Sequence, residues 1–181
     1  MTPATHAPAR GRHLSHAELR EVVERYAEDV RHGCYVPEFR TDERWHVRIH
    51  RDDDVDVWLI SWTAEQGTEL HDHGGSSGAF TVVDGTLNEH VWSGRRADAG
   101  GLLVSHARRE RDVVAFGPDY VHDVRNHLAP PALSVHAYSP PISLMHFYDV
   151  AGTRLLHAGS TWTDDPEAPS PERAASERAA S

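Results

Sequence analysis

The sequence predicts a mainly β protein, a sandwich or barrel with a short helical region at its N-terminus. Three observations carry that expectation. From Trp45 onward, short runs of Val, Ile, Trp, Leu and Phe alternate with Gly, Asp, Asn and Pro, the pattern of many short strands joined by turns. Asp84-Gly85 lies between two apolar runs and signals a hairpin, since both residue types tolerate positive φ. Before Trp45 the period is helical instead: Leu19, Val22, Val23, Tyr26 and Val30 recur along one helix face.

Taken in order, residues 1–13 lack apolar periodicity and read as a flexible tail. Ser15 opens the helix, and Glu18 three residues on completes a capping box. Gly33 stands where a C-terminal cap belongs. Cys34 then reads as a small buried hydrophobe rather than a nucleophile. Strands are expected at 45–50, 55–62, 69–73, 78–84, 86–92, 101–106, 112–116, 121–126, 132–138 and 143–149. The stretch 164–181 is mostly Pro, Glu, Ala, Ser and Arg, with too little apolar surface to offset ordering entropy. It reads as disordered, or as a short frayed helix at most. One domain over 14–163 remains between the two tails.

At 181 residues the chain can bury one full core. Its net charge is −10, from 28 acidic and 18 basic residues, and no basic run exceeds Arg108-Arg109. Nucleic-acid and anionic-membrane surfaces are therefore not expected. The single cysteine allows no internal disulfide and no Cys-x-x-Cys motif. With no long apolar run at the N-terminus, the expectation is a cytoplasmic monomer.

His71-Asp72-His73 and the distant His122 carry the chemistry. Alternate residues on a strand share a face, so His71 and His73 aim two imidazoles into one space. His122, on another strand, can supply a third. Imidazole is the commonest donor to first-row transition metals, and three ligands leave positions open for chemistry. Among 15 histidines one such pair can also arise by chance, so the surroundings matter.

Those surroundings run Gly67-Thr-Glu-Leu-His71-Asp-His73-Gly-Gly-Ser-Ser-Gly78, six further residues, then Gly85, and later Gly117-Pro118-Asp-Tyr-Val-His122-Asp-Val-Arg-Asn126. They resemble the two motifs of the cupin superfamily, which implies a cupin-like antiparallel β-barrel (jelly roll) with a metal in its mouth. Gly78 stands where that pattern has a Glu. Three neutral ligands without a carboxylate leave the full charge of a divalent ion, which favours an anionic ligand such as a thiolate.

Ser134, His136 and Tyr138 alternate with Val135 and Ala137 and share one strand face. Facing inward, Ser134 can bond His136, and His136 can orient the phenol; facing outward, the row is merely solvated. Ser134-Val-His136-Ala-Tyr138-Ser-Pro-Pro141 followed by Met145-His146-Phe-Tyr-Asp149 resembles the C-terminal signature of the cysteine dioxygenases. Trp62 matches the Trp that precedes the His-Asp-His motif in that family, and Trp45-His46-Val47-Arg48 matches its substrate-binding strand.

The resemblance implies oxidation of L-cysteine by O2 to cysteine sulfinate at Fe(II) held by His71, His73 and His122. It gives Arg48 the substrate carboxylate, His46 a place in the pocket, and Tyr138, oriented by His136 and Ser134, a hydrogen bond near the reacting groups. No reductant or organic cofactor is required. Animal members carry a Cys at the position of Gly78, crosslinked to the tyrosine; with Gly there, Tyr138 is expected to be an ordinary phenol. Three rivals stand beside this reading. They are a dioxygenase for another small thiol such as 3-mercaptopropionate, a non-catalytic metal-binding cupin, and a zinc or manganese isomerase that would normally keep the Glu.

Overall fold

A computed structural model describes residues 12–94, 100–127 and 130–180. Of the expected N-terminal tail, residues 1–11 lie outside the described residues. Helix α1 (His16–Arg31) starts at the capping box: Ser15 accepts from the Glu18 N–H, and the Glu18 carboxylate accepts from the Ser15 N–H at 2.8 Å. Gly33 follows the helix at φ +79°, as a C-terminal glycine should. Cys34 is exposed rather than buried: it falls in the turn beyond α1, outside the periodic face that packs.

Eleven strands follow: β1 (His46–Arg51), β2 (Asp56–Trp62), β3 (His71–Asp72), β4 (Ser77–Asp84), β5 (Thr86–Trp92), β6 (Leu103–Arg109), β7 (Val113–Phe116), β8 (His122–Arg125), β9 (Ala132–Ser139), β10 (Met145–Ala151) and β11 (Arg154–Thr161). A second helix, α2, spans Pro171–Ala180. The strands form two sheets, β1-β2-β9-β4-β7 and β11-β10-β3-β8-β5-β6, with antiparallel pairing along both. This is a jelly roll of the cupin kind. The expected barrel is corrected in one respect: the ladders do not close on themselves, and two facing sheets enclose the interior.

Asp84-Gly85 is a turn, with Gly85 at φ +80°, but not a hairpin, because β4 and β5 lie in different sheets. A Cβ at Gly85 would stand 2.8 Å from the Pro131 carbonyl oxygen. The chain uses this corner to cross between sheets. Strand β11 was not expected; Arg154–Thr161 has few β-formers and is held at the sheet edge by pairing with β10 through a turn with Gly152 at φ +63°.

The five-stranded sheet is buried on both faces. On one, Val57, Leu59, Ala79, Val135 and Ala137 pack under Leu19, Val23, Ala27 and Val30 of α1. On the other, Trp58, Ile60, Trp62, Phe80 and Tyr138 meet Leu87, Val124 and Phe147 of the facing sheet. β9 is thus a central strand, between β2 and β4, and its polar row faces the interior. A solvated outer row is excluded.

The stretch from 164 onward, expected to be disordered or a short frayed helix at most, holds α2 at Pro171–Ala180 and contacts the folded domain before it. Ser170 donates its N–H and its hydroxyl to Glu69 (3.0 and 2.7 Å), and Asp164, Asp165 and Glu167 pair with side chains of, and just before, β1. Charge pairing with the folded domain, which composition alone does not show, replaces the missing apolar anchor.

Candidate metal centre

Strand β3 is short because it has one task. His71 pairs in register with His122 of β8 on one side and Phe147 of β10 on the other, and His73 follows just past its end. Asp72 points away between them, accepting from the Tyr148 hydroxyl at 2.6 Å and the Gly74 N–H at 2.8 Å. Ligand atoms of His71, His73 and His122 lie within 4.8 Å of one another, and all three residues are buried.

The bonds on the far sides of these rings decide which nitrogens face inward. His71 Nδ1 donates to the Glu69 carbonyl at 2.7 Å. His122 Nδ1 donates to Glu89 Oε1 at 2.8 Å. Each ring then turns its Nε2 toward the others, and His122 Nε2 is buried without a hydrogen-bond partner. His71 Nε2 and His73 Nε2 face each other at 3.2 Å. Burial and then the neighbouring His122 lower His71 to about 3; burial and then His71 hold His73 well below its ordinary value. Imidazole nitrogens converging on one point fit a divalent transition metal.

Glu89 was not singled out in the sequence. It is fully buried on β5 and accepts from His122, from the Tyr120 hydroxyl at 3.0 Å and from Arg108 Nε at 2.8 Å. Burial would raise its carboxyl; the hydrogen bond and charge of His122, then Arg108, outweigh that and hold it at about 2. Such a carboxylate fixes the orientation and basicity of a metal-binding imidazole. The available signal was an acid inside a short strand, since Glu is almost never fully buried unless paired.

The polar row lies beside the histidines. The Trp62 indole N–H can only donate and reaches Ser134 Oγ at 2.9 Å. Ser134 keeps its own proton for His136 Nε2 at 2.8 Å. In that arrangement His136 carries its proton on Nδ1, 3.4 Å from the Tyr138 oxygen, and the phenol hydrogen is free to point at a ligand. Burial, then His122 and His71, lower His136 to about 3. Burial and then Asp56 push the Tyr138 phenol well above its usual range, so it stays protonated. Its ring is 4.6 Å from that of His73, centroid to centroid.

Gly78 pairs in register with Tyr138, and a Cβ there would stand 2.5 Å from Phe116 Cζ. Phe116, stacked on His73 at 5.3 Å, fills the space a side chain at position 78 would take.

Arg48 and His46, the substrate candidates on β1, both lie against Trp58. Arg48 reaches over Trp58 at 5.0 Å and pairs with Asp164. His46 is half-buried near Trp58 and pairs with Asp165, and that hydrogen bond raises its pKa against the effect of burial. A second arginine, missed in the sequence, lies closer to the histidines. Arg44 stands over Trp62 at 4.8 Å, donates to the Gly67 carbonyl at 2.5 Å and pairs with Glu167. Burial and then Arg173 lower it to about 10, so it remains a cation near neutral pH.

A three-histidine cluster between the sheets of a jelly roll defines the class, a cupin with a site fit for a metal. The chain belongs to the cysteine dioxygenase type I family, whose model matches residues 9–151. It is 24% identical over 139 residues to cysteine dioxygenase type 1 of Homo sapiens and equally to that of Pongo abelii, covering 73% of this chain and 68% of each relative. Among solved structures it is similar in fold to a recombinant oxalate oxidase in complex with glycolate, at TM-score 0.50 and 13% identity, over 59% of this chain and 56% of that one. A double-stranded beta-helix protein from Klebsiella pneumoniae aligns at TM-score 0.48 and 17% identity, over 72% and 90%. Among the described residues, no helix is long and apolar enough to cross a membrane.

Proposed function

We propose that this protein is a thiol dioxygenase that converts L-cysteine and O2 to cysteine sulfinate, with Fe(II) as its metal. The observation that carries the reading is the convergence of three buried imidazoles beside a protonated Tyr138 in a chain of this family. Fe(II) held by His71, His73 and His122 would lower the thiol pKa and couple the thiolate to O2. Both oxygen atoms end on sulfur, R–SH + O2 → R–SO2H, so no reductant is consumed.

The protein's own groups do the rest. Arg48, with His46 beside it, is the first charge the substrate carboxylate meets on its way in. Tyr138 donates its proton toward the sulfur and oxygen being joined, and the bonds Trp62–Ser134–His136 keep that proton directed inward. Trp58, Phe116 and Phe147, buried around the site, exclude bulk water and hold the reactants as neighbours. A reducing cytoplasm suits a chain with one cysteine.

Oxygen uptake by the iron-loaded protein, with sulfinate quantified, tests the reading. One O2 consumed per cysteine sulfinate is expected. Uptake with 3-mercaptopropionate alone moves the substrate, and uptake with neither thiol removes the dioxygenase.

A further inference from the structure

The stretch 164–170 has little apolar surface, yet it crosses the rim of the histidine site and is paired with it charge by charge. Asp164 meets Arg48 at 2.9 Å and Arg51 at 2.7 Å, Asp165 meets His46 at 3.2 Å, and Glu167 meets Arg44 through Nε and Nη2. The acids advance as the cations retreat, so the segment runs antiparallel to the start of β1. A bulge between Arg48 and His50 brings Arg51 back to the face of Arg48, where Asp164 takes both arginines.

These pairs differ in weight. Asp164 and Asp165 are half-exposed, as are Arg48 and Arg51, and such pairs contribute little. Glu167 and Arg44 are 6% and 13% exposed. Glu167 also lines the same cleft as Trp62, His71, His122, His136 and Tyr138. A two-point carboxylate–guanidinium pair beside the histidines is the contact that a small substrate's carboxylate would make.

We propose that Arg44 is the inner carboxylate seat of this site and that Glu167 occupies it as a tethered surrogate, so that 164–170 is a strap displaced by carboxylate-bearing thiols. The inference rests on the thiol reading and deepens it: the seat selects for a carboxylate, and the strap sets what a ligand must outcompete. Ser170, buried and bonded twice to Glu69, anchors the far end, so displacement is confined to the residues before it. A strap closed about nine-tenths of the time weakens apparent binding about tenfold.

The test uses the full-length, iron-loaded protein without O2, and reads amide hydrogen exchange over 164–170. L-Cysteine is expected to speed exchange about tenfold, while cysteamine, which has the thiol and amine but no carboxylate, leaves it unchanged. In air, Glu167→Gln is expected to lower KM for L-cysteine about three- to tenfold and to leave KM for cysteamine as it was; Glu177→Gln, on the exposed face of α2, changes neither. A strap that stays protected with L-cysteine, together with an unchanged or higher KM in Glu167→Gln, overturns the proposal and makes 164–170 a fixed wall. Strap release without sulfinate in air removes the dioxygenase reading and keeps the strap. Sulfinate formed under a strap that stays protected does the reverse.

Discussion

Glu89 and Asp164 each hold an arginine and a second cationic or donor group, yet they do different work. Glu89 is fully buried and binds Arg108, Tyr120 and His122. Asp164 is 57% exposed and binds Arg48 and Arg51. Removing one partner of a buried charge leaves the other unsolvated and is costly; a surface pair exchanges its partner for water at little cost. The floor of the site is therefore set when the protein folds, while its rim remains responsive to salt.

Replacing a floor histidine should have the largest effect. His71→Ala, His73→Ala or His122→Ala is expected to abolish stoichiometric iron binding, read by metal analysis after desalting. A variant that keeps one equivalent is not missing a ligand. Next comes Glu89→Gln, expected to weaken iron binding about 10- to 100-fold in a chelator competition. Affinity equal to wild type would show that Glu89 serves only Arg108 and Tyr120, and the contrast between floor and rim would lose its main example.

Asp56 sharpens the comparison from within the buried region. It pairs in register with Tyr138, and neither carboxyl oxygen has a partner at hydrogen-bond geometry. Burial pushes its carboxyl from 3.8 up to about 6, against Arg51 and Arg48. The folded state thus holds this proton more tightly than the unfolded chain. The associated stability is present below about pH 4 and lost as pH rises to about 6, a change of roughly 2–3 kcal/mol. Urea unfolding of wild type and Asp56→Asn across that range should show this component only in the wild type; parallel curves would mean the carboxyl is solvated. The smallest effect belongs to the rim: Asp164→Asn should cost below about 1 kcal/mol, vanishing at high salt. A larger, salt-independent loss would make the rim as rigid as the floor.

Much of this site was legible because its signals are local. The capping box at Ser15 and Glu18, the paired His71 and His73, and the alternation of Ser134, His136 and Tyr138 all follow from the period of one element. Ten strands were placed within a few residues for the same reason. The hairpin expected at Asp84-Gly85 failed because turn chemistry sets a change of direction but not the partner that the next strand finds. Cys34 failed because a residue type often found inside stands here beyond a helix end.

By itself the sequence determined the mainly β character, the three imidazoles that could meet and the polar row that could orient a phenol, since side-chain periodicity is a property of the local backbone. Only the tertiary structure decided that β9 is central, so its row faces inward; that Glu89 lies behind His122; and that Glu167 pairs with Arg44. Each of these depends on which distant group supplies burial or counter-charge, and that choice is made by packing the whole chain.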